Sequence, residues 1–165
     1  MHPVSIQTAD GVFTAYFSKR GLARLDFPRR PPPPGRPARM AAIGSAAKDP
    51  RIALAVQALR QALAGKLPTV LPPLHPMTDT PFQQKVWKAL RAIPPGETRT
   101  YAQIAAAVGH PGAARAVGQA CGANPIPVLI PCHRVLASHG GLGGFSAGLA
   151  WKKLLLKREK VLAPE

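Results

Sequence analysis

The chain has 165 residues, of which 46% are hydrophobic, so it is long and apolar enough for a folded core and is not a disordered protein. Its 22 Lys and Arg against 7 Asp and Glu give a net charge of +15, which indicates a polyanionic partner, nucleic acid before an anionic membrane surface. No apolar run approaches the roughly 18 residues of a membrane span, and the N-terminus has no secretion-signal pattern. We therefore expect a soluble cytoplasmic protein, associated with the nucleoid if it is bacterial.

Residues 1–77 predict a small α+β domain. Its three antiparallel strands are expected over residues 4–8, 12–18 and 22–27. Asp10-Gly11 is a hairpin signal, and Lys19-Arg20-Gly21 predicts the second turn. Such a sheet needs a partner for its apolar face, and a helix beginning at Asp49-Pro50 can supply it. The apolar stripe of this helix consists of Ile52, Val56, Leu59 and Leu63.

Two proline-rich segments interrupt or follow this domain. Residues 28–39 begin with six prolines and three arginines in ten positions, which predicts a semi-rigid solvated loop. Its arginines have the chemistry to contact phosphate, but a solvated loop explains them as well, and we prefer that interpretation. Residues 66–77, with four prolines, predict a linker, in which His75 is interpreted as a surface histidine rather than a metal ligand.

Residues 78–165 predict a mostly helical domain. Its first helix begins at Thr80-Pro81, where Gln83 completes a capping-box pattern. Its buried face is expected to contain Phe82, Val86, Leu90 and Ile93, with Trp87 flanking. A last helix is expected from about residue 149 to residue 160, with Leu154, Leu155 and Leu162 inward and Trp151 and Arg158 at the rim.

Two short helices in the middle of this domain predict a helix-turn-helix. Thr100 and Gln103 form a capping-box pattern that opens a helix ending at Gly109, and residues 113–121 predict the next helix. An ordinary helical hairpin is the alternative, and the net charge favours DNA binding. Arg115 lies near the start of the second helix, the end that enters a groove in such motifs.

The strongest candidate site is the segment 130–135, where Cys132, His133 and Arg134 stand side by side after an apolar run. The prolines in and after that run predict a stiff, extended approach that presents the thiol at the edge of a core. A buried, inert thiol is the alternative, which the two charged neighbours argue against because both resist burial. Since neighbours in an extended segment point to opposite sides, His133 need not touch the sulfur, and Glu159 is a candidate to orient the imidazole. An exposed partner of a lysine is the plainer interpretation of Glu159.

Metal and nucleotide chemistry find no support in the sequence. The cysteines and nearby histidines lack the paired short spacing of zinc ligands, so we expect no metal. The glycine-rich residues 140–144 lack the Lys-Ser/Thr ending of a phosphate-binding loop.

The second half of the chain resembles the methylated-DNA–protein-cysteine methyltransferases, suicide repair proteins that act on O6-alkylguanine. The resemblance runs in order through residues 80–160. It is carried by Phe82-Gln83-Gln84-Lys85-Val86-Trp87, Ile93-Pro94, Tyr101, Arg115-Ala116-Val117-Gly118, Asn124-Pro125, Pro131-Cys132-His133-Arg134-Val135, Gly143-Gly144-Phe145-Ser146 and the Lys152, Leu155, Glu159 helix. It implies a winged-helix-like C-terminal domain and a single-turnover transfer of an alkyl group from O6-alkylguanine, and from O4-alkylthymine, in double-stranded DNA.

The resemblance implies catalytic roles for five residues. Cys132 would accept the alkyl group, with His133 and Glu159 as its water-mediated deprotonation relay. Asn124 would order the turn at the site, and Tyr101 would help to protonate the departing O6 oxygen. Because the transfer is a direct displacement at the alkyl carbon, it implies no cofactor.

The resemblance also implies DNA-binding roles. Arg115 would fill the gap left by a flipped nucleotide, while Ala116 and Gly118 on the same helix would let its backbone approach the groove. Ser146 would line the guanine pocket, and Lys152 would lie near the site. We expect a monomer with no membrane partner, and the sequence leaves cooperative binding along DNA open.

This chain departs from the family pattern at a few positions. Pro95 replaces an aromatic residue found in many relatives, and Phe145 replaces a tyrosine found in some, which bears on pocket selectivity. No cysteine precedes Cys121, so we expect no N-terminal zinc site. Two rival functions are a lesion-binding protein without transfer, whose relatives carry tryptophan at the reactive position, and a cysteine hydrolase, which would turn over.

Overall fold

The computed structural model describes residues 1–29, 49–78 and 80–163. Three strands, β1 (His2–Thr8), β2 (Gly11–Ser18) and β3 (Gly21–Asp26), form an antiparallel sheet in the order β1-β2-β3. The three predicted strands are confirmed to within one or two residues at their ends. Phe13 and Ala15 of β2 are fully buried on the side of the sheet that faces the core.

Helix α1 (Pro50–Leu63) begins where the sequence predicts, because the Asp49 carboxylate accepts a hydrogen bond from the backbone N–H of Arg51 at 2.9 Å. All four residues of the predicted apolar stripe are buried in the core that this helix shares with the sheet. Of the Pro/Arg-rich loop predicted over residues 28–39, all but the first two residues lie outside the described part of the chain.

The predicted linker, residues 66–77, pairs in part with the sheet. Leu22 of β3 donates its N–H to the Pro73 carbonyl and accepts from the His75 N–H, both at 2.8 Å. His75 Nδ1 lies 3.0 Å from Ser18 Oγ, within hydrogen-bonding distance. The edge of β3 is thereby covered along this stretch, which protects it from pairing with another chain.

Helix α2 (Pro81–Arg91) starts at the predicted proline, but its capping box is not formed. The Thr80 hydroxyl makes no capping bond and instead lies 3.1 Å from the Thr78 hydroxyl, within hydrogen-bonding distance. The Gln83 side chain accepts a hydrogen bond from the Thr78 hydroxyl instead of turning back to the helix start. Trp87 was predicted to flank the buried face, yet it is only 2% exposed. It can be buried because its indole N–H donates to the Ala120 carbonyl at 2.8 Å.

Two short helices, α3 (Tyr101–Ala107) and α4 (Ala114–Gly122), pack against each other and against α2. The predicted capping box of α3 is confirmed: Gln103 N–H donates to Thr100 Oγ1 at 3.1 Å, and the Gln103 side chain accepts from the Thr100 N–H at 2.8 Å. A two-residue strand before α3, β4 (Arg99–Thr100), pairs in parallel with β5 (Val135–Leu136). This pairing brings the start of α3 beside the segment that follows Cys132.

The last helix, α5 (Leu149–Arg158), lies deeper in the protein than expected. Trp151 was predicted at the rim but is 1% exposed, because it packs against Phe13 of β2 at 5.8 Å and against Phe27, just after β3, at 4.8 Å between ring centroids. Leu155 is buried as predicted, whereas Leu154 and Leu162 are half-buried. The aromatic contacts join the sheet and α5 in one hydrophobic core.

The architecture is therefore α+β, with a small antiparallel sheet and five α-helices in the described part of the chain. Within those residues, no helix combines the length and the apolarity needed to cross a bilayer.

Candidate active site

Cys132 lies in a tight turn rather than at the end of an extended strand. Residues Cys132–Arg134 form one 3-10 turn, and the preceding apolar run is itself folded back, with Ile130 N–H donating to the Ile126 carbonyl at 2.9 Å. The predicted extended approach is therefore wrong. Val128, with φ of 73°, provides the reversal that an extended path would not allow.

Asn124 bridges the two ends of this folded loop. Its side-chain amide donates to the Ile130 carbonyl at 2.8 Å, and its side-chain oxygen accepts from the Ile126 N–H at 3.0 Å. Both groups are buried, where an unpaired carbonyl or N–H would be unfavourable. Asn124 thus holds the main chain immediately before Cys132.

His133 and Arg134 are buried, at 1% and 5% exposure, against the expectation that both would resist burial. Glu159 explains this result, since its carboxylate accepts from His133 Nε2 at 2.8 Å and from Arg134 Nη2 at 2.8 Å and Nε at 3.1 Å. Arg134 also donates to the Ile93 carbonyl at 2.5 Å. The interpretation of Glu159 as an exposed acid is wrong, because it is the counter-charge of a buried cluster.

This cluster determines the protonation states of its members. Burial alone would raise the pKa of Glu159, but hydrogen bonds from His133 and Arg134 outweigh it and lower the pKa to about 2. Burial lowers the pKa of His133 despite the opposing effect of Glu159, so the imidazole is neutral at pH 7. With Nε2–H donated to Glu159, Nδ1 is left as a bare acceptor, and it has no hydrogen-bond partner among the described residues.

Cys132 itself is 4% exposed, and burial raises the pKa of its thiol. The Asn124 hydrogen bond and the positive charge of Lys152 oppose this increase. Lys152 is fully buried, where its amine donates to the carbonyls of Val135 at 2.6 Å and Gly144 at 3.1 Å. Burial lowers the pKa of this lysine. Its two hydrogen bonds tie the strand after Cys132 to the loop that carries Ser146.

A cavity of about 600 Å³ opens onto the Cys132 side chain. It brings together several of the residues predicted from the sequence: Tyr101, Arg115, Gly118, Cys132 and Ser146. His133, Asn124, Lys152 and Glu159 are not in its wall, and lie behind the cysteine. Ala116 is half-buried on α4 and does not line the cavity either.

Tyr101 stands at this cavity with its hydroxyl against the glycine-rich loop. Burial raises the pKa of Tyr101, so its hydroxyl keeps its proton at pH 7 and can donate it. A Cβ atom at Gly143 would lie 2.6 Å from the tyrosine Oη, and this glycine has φ of 70°. Glycine is therefore required at this position for the tyrosine to occupy its place.

Sequence reasoning missed two residues of the site. Arg134 was noted for its charge but not as a partner of Glu159, which it holds through Nε and Nη2. Cys121 lines the same cavity as Cys132, and burial raises the pKa of its thiol to about 12. No signal in the sequence places these groups, because both depend on contacts between distant segments. Both cysteines are free thiols.

Across residues 1–29, 49–78 and 80–163, no group of three or more His, Cys, Asp or Glu side chains is arranged to hold a metal ion.

Comparison with known proteins identifies a single family. A family model described as the 6-O-methylguanine DNA methyltransferase DNA-binding domain matches residues 81–161. A methylated-DNA–protein-cysteine methyltransferase of Mycobacterium tuberculosis is 54% identical over 88 residues, 53% of this chain and 53% of the relative. The constitutive enzyme of Bacillus subtilis is 48% identical over 115 residues, 69% of each chain. The match thus spans about half the length of the first of these relatives and two thirds of the second.

Solved structures give a more complete match. The OGT protein of Mycobacterium tuberculosis in complex with DNA shares 38% identity with a TM-score of 0.76, over 99% of this chain and 96% of that chain. The O6-methylguanine-DNA methyltransferase of Pyrococcus kodakaraensis shares 28% identity with a TM-score of 0.63, over 95% and 97% of the two chains. The chain therefore belongs to the methylated-DNA–protein-cysteine methyltransferase family.

Proposed function

We propose that this protein repairs DNA by transferring the alkyl group of O6-alkylguanine, and of O4-alkylthymine, irreversibly to Cys132. The observation that carries the proposal is a nearly buried thiol that lines a cavity and is backed by a neutral imidazole with an unpaired Nδ1. An imidazole held in this tautomer by a carboxylate is a general base, and a thiol becomes a strong nucleophile once its proton is removed.

Besides the chain and its substrate, the proposed reaction uses one water molecule and no cofactor. His133 Nδ1 takes the thiol proton through one water molecule, and Glu159 stabilises the imidazolium that forms. The Cys132 thiolate attacks the alkyl carbon, forming a C–S bond as the C–O6 bond breaks. The electron pair of that bond stays on the guanine, and Tyr101 donates a proton toward the departing oxygen. The product is a thioether, whose C–S bond is stable to hydrolysis, so one chain acts once.

The buried position of the sulfur requires the damaged base to leave the duplex. A base stacked in DNA cannot reach a thiol that is 4% exposed, and flipping it out costs a few kcal/mol, least for a damaged pair. We propose that α3 and α4 act as a helix-turn-helix within a winged-helix-like domain. Arg115, which is exposed and lines the cavity, would fill the gap in the stack, with Ala116 and Gly118 against the groove. Ser146, on the other wall, would contact the guanine.

The remaining assignments are part of the same proposal. The N-terminal domain is residues 1–77, and the DNA-binding and active-site domain is residues 78–165. The partner is double-stranded DNA with an alkylated guanine, bound by a monomer in the cytoplasm. The net charge of +15 supports such a partner.

An intact mass measurement tests the transfer directly. The protein is mixed with duplex DNA containing O6-methylguanine, and its mass is measured together with that of the Cys132→Ser and Cys121→Ser variants. We expect the native protein and Cys121→Ser to gain one methyl group per chain, mapped to Cys132, and Cys132→Ser to gain none.

Two outcomes would refute this proposal. Repair of several lesions per chain would show turnover, as expected of a hydrolase. An unchanged mass together with tight binding to the lesion would show a protein that recognises damage without repairing it.

A further inference from the structure

A second buried acid lies outside the cavity at Cys132 and has no part in the proposed alkyl transfer. Asp10, in the turn between β1 and β2, is 4% exposed. Both of its carboxylate oxygens accept hydrogen bonds from Arg158, from Nη1 at 2.6 Å and from Nη2 at 2.7 Å. Arg158 Nη1 also donates to the Leu63 carbonyl at the end of α1, at 2.9 Å. The arginine is thus held by two separate segments of the N-terminal part.

The backbone of Arg158 also lies close to the N-terminal part, at Gly65. A Cβ atom at Gly65 would lie 2.3 Å from the Arg158 carbonyl oxygen and 3.1 Å from the Glu159 nitrogen. Only glycine permits this approach, and its φ of 74° suits a glycine as well. The peptide that joins Arg158 to Glu159 therefore packs directly against the backbone at Gly65, just beyond the end of α1.

Glu159 follows Arg158 directly and lies just beyond the helix. Helix α5 ends at Arg158, and three main-chain bonds close its end: Glu159 N–H donates to the Leu155 carbonyl at 3.0 Å, Lys160 N–H to the Lys157 carbonyl at 2.9 Å and Val161 N–H to the Leu156 carbonyl at 2.9 Å. These bonds shape the helix end, and the contacts of Arg158 with Asp10 and Leu63 fix where that end lies against the N-terminal part. The Glu159 carboxylate extends to His133 and Arg134, whereas the Arg158 side chain extends to Asp10.

We propose that Asp10 and Arg158 are positioning residues, through which the N-terminal sheet holds the Glu159 carboxylate against His133. The inference rests on the proposed transfer to Cys132, because the function of the Glu159–His133 pair is to prepare that thiol. The structural basis is a continuous chain of contacts, from Asp10 to Arg158 by the ion pair, to Glu159 through one peptide, and to His133 by a 2.8 Å hydrogen bond.

Displacing Glu159 has a defined chemical consequence. A weaker Nε2–H to carboxylate bond makes Nδ1 less basic, so it removes the Cys132 proton less readily. In alkaline solution hydroxide ionises the thiol without the imidazole, and the defect should diminish. Several charged or titratable groups interact electrostatically with Cys132 or His133 in the described part of the chain. They are Glu159, Arg134, Lys152, Tyr101 and Cys121.

The test compares single-turnover rates of alkyl transfer across pH for the native protein, Asp10→Asn and Arg158→Lys. We use a short duplex with O6-methylguanine and count only the protein that reacts, so that misfolded chains do not contribute. At neutral pH the transfer rate of Asp10→Asn should be about tenfold lower than that of the native protein, an effect in the range expected when a general base is weakened. In alkaline buffer the two rates should approach each other. Arg158→Lys keeps the charge but loses the two-pronged geometry, and should be intermediate.

A matched control is available on the same sheet. Asp26→Asn removes a half-buried acid whose ion pair, at 2.7 Å, is with Arg24 of the same strand. Its pH profile should follow that of the native protein.

A purely structural role for the Asp10–Arg158 pair would lower the reacting fraction and the melting temperature but leave the pH profile parallel to the native one, and that result would overturn the inference. The imidazole nitrogen resonances of His133 give a second readout on the folded protein, since a displaced Glu159 must shift the Nε2 signal in Arg158→Lys. An unshifted signal would also refute the inference. Failure of the native protein to accept a methyl group would instead refute the proposed function.

Discussion

The two cysteines of this protein line one cavity and yet occupy very different regions. Cys121, at the end of α4, is 8% exposed, and burial raises the pKa of its thiol to about 12. Cys132 is 4% exposed, and burial raises the pKa of its thiol too, but it follows a loop held by Asn124 and lies in the same turn as His133. Burial alone therefore makes an inert thiol, and a nucleophile requires polar groups behind it.

The region behind Cys132 is a buried ionic cluster of the kind that is unfavourable unless every member is paired. Glu159 satisfies His133 and Arg134 together, and Arg134 in turn reaches the Ile93 carbonyl. Only one atom of the cluster, His133 Nδ1, is left without a partner within the described part of the chain. The comparison with Cys121 thus separates two effects. Both thiols are buried, but only Cys132 lies in the same turn as the His133 imidazole.

The largest contrast should appear on chemical labelling of the native protein. Iodoacetamide should label Cys132 at neutral pH and leave Cys121 unmodified: burial raises the pKa of both thiols, and the His133 imidazole, in the same turn as Cys132, can remove the Cys132 proton. Peptide mapping by mass spectrometry measures the two sites, and labelling in denaturant provides the control in which both react. Equal labelling of the folded protein would remove the distinction between the two regions.

Glu159→Gln should make Cys132 more like Cys121. The amide can still accept from His133 Nε2 but cannot stabilise an imidazolium, so transfer should slow by about a hundredfold at neutral pH. Single-turnover measurements with an O6-methylguanine duplex test this rate, and recovery in alkaline buffer would confirm that proton removal is affected. A rate equal to that of the native protein would exclude Glu159 from the relay.

Arg115→Ala should leave the reactivity of Cys132 intact and impair only delivery of the base. We expect about a tenfold slower repair of a duplex lesion, since the energy of filling the gap in the stack is lost, and a much smaller effect with free O6-benzylguanine. Arg91→Ala, which removes an exposed arginine outside this cavity, controls for the loss of charge. Equal losses on both substrates would refute the role of Arg115.

The last contrast concerns stability in acid. The folded pKa of Glu159, about 2, is below its ordinary value of 4.5, so its contribution is fully present above pH 4.5 and is lost as pH falls toward 2. The shift corresponds to about 3 kcal/mol at most. The lowered pKa of His133 acts in the same direction, because only the unfolded chain takes up this proton just below pH 6.5.

Urea unfolding of the native protein and of Glu159→Gln between pH 7 and acid measures this contribution. The native protein should lose stability more steeply with acid than the variant does. Parallel curves would show that the ionised Glu159 carboxylate contributes nothing to folding.

Local sequence determined much of the secondary structure of this protein. The strands, the start of α1 at Asp49 and the capping box of α3 follow from turn residues, caps and apolar spacing, which act within a few positions of the chain. The predicted capping box at Thr80 shows where such reasoning fails. It required the Gln83 side chain, which accepts a hydrogen bond from Thr78 instead. The reactive cysteine could also be selected from the sequence, because its motif is continuous.

Only the tertiary structure decided the environment of that cysteine. Glu159 reaches His133 across 26 residues and Arg158 reaches Asp10 across 148, and no local pattern encodes such pairs. The burial of Trp151, His133 and Arg134 likewise depends on partners from distant elements. A charged side chain is buried only where a counter-charge meets it, so the folded chain, and not the order of residues around Cys132, decides which of the two thiols is backed by a base.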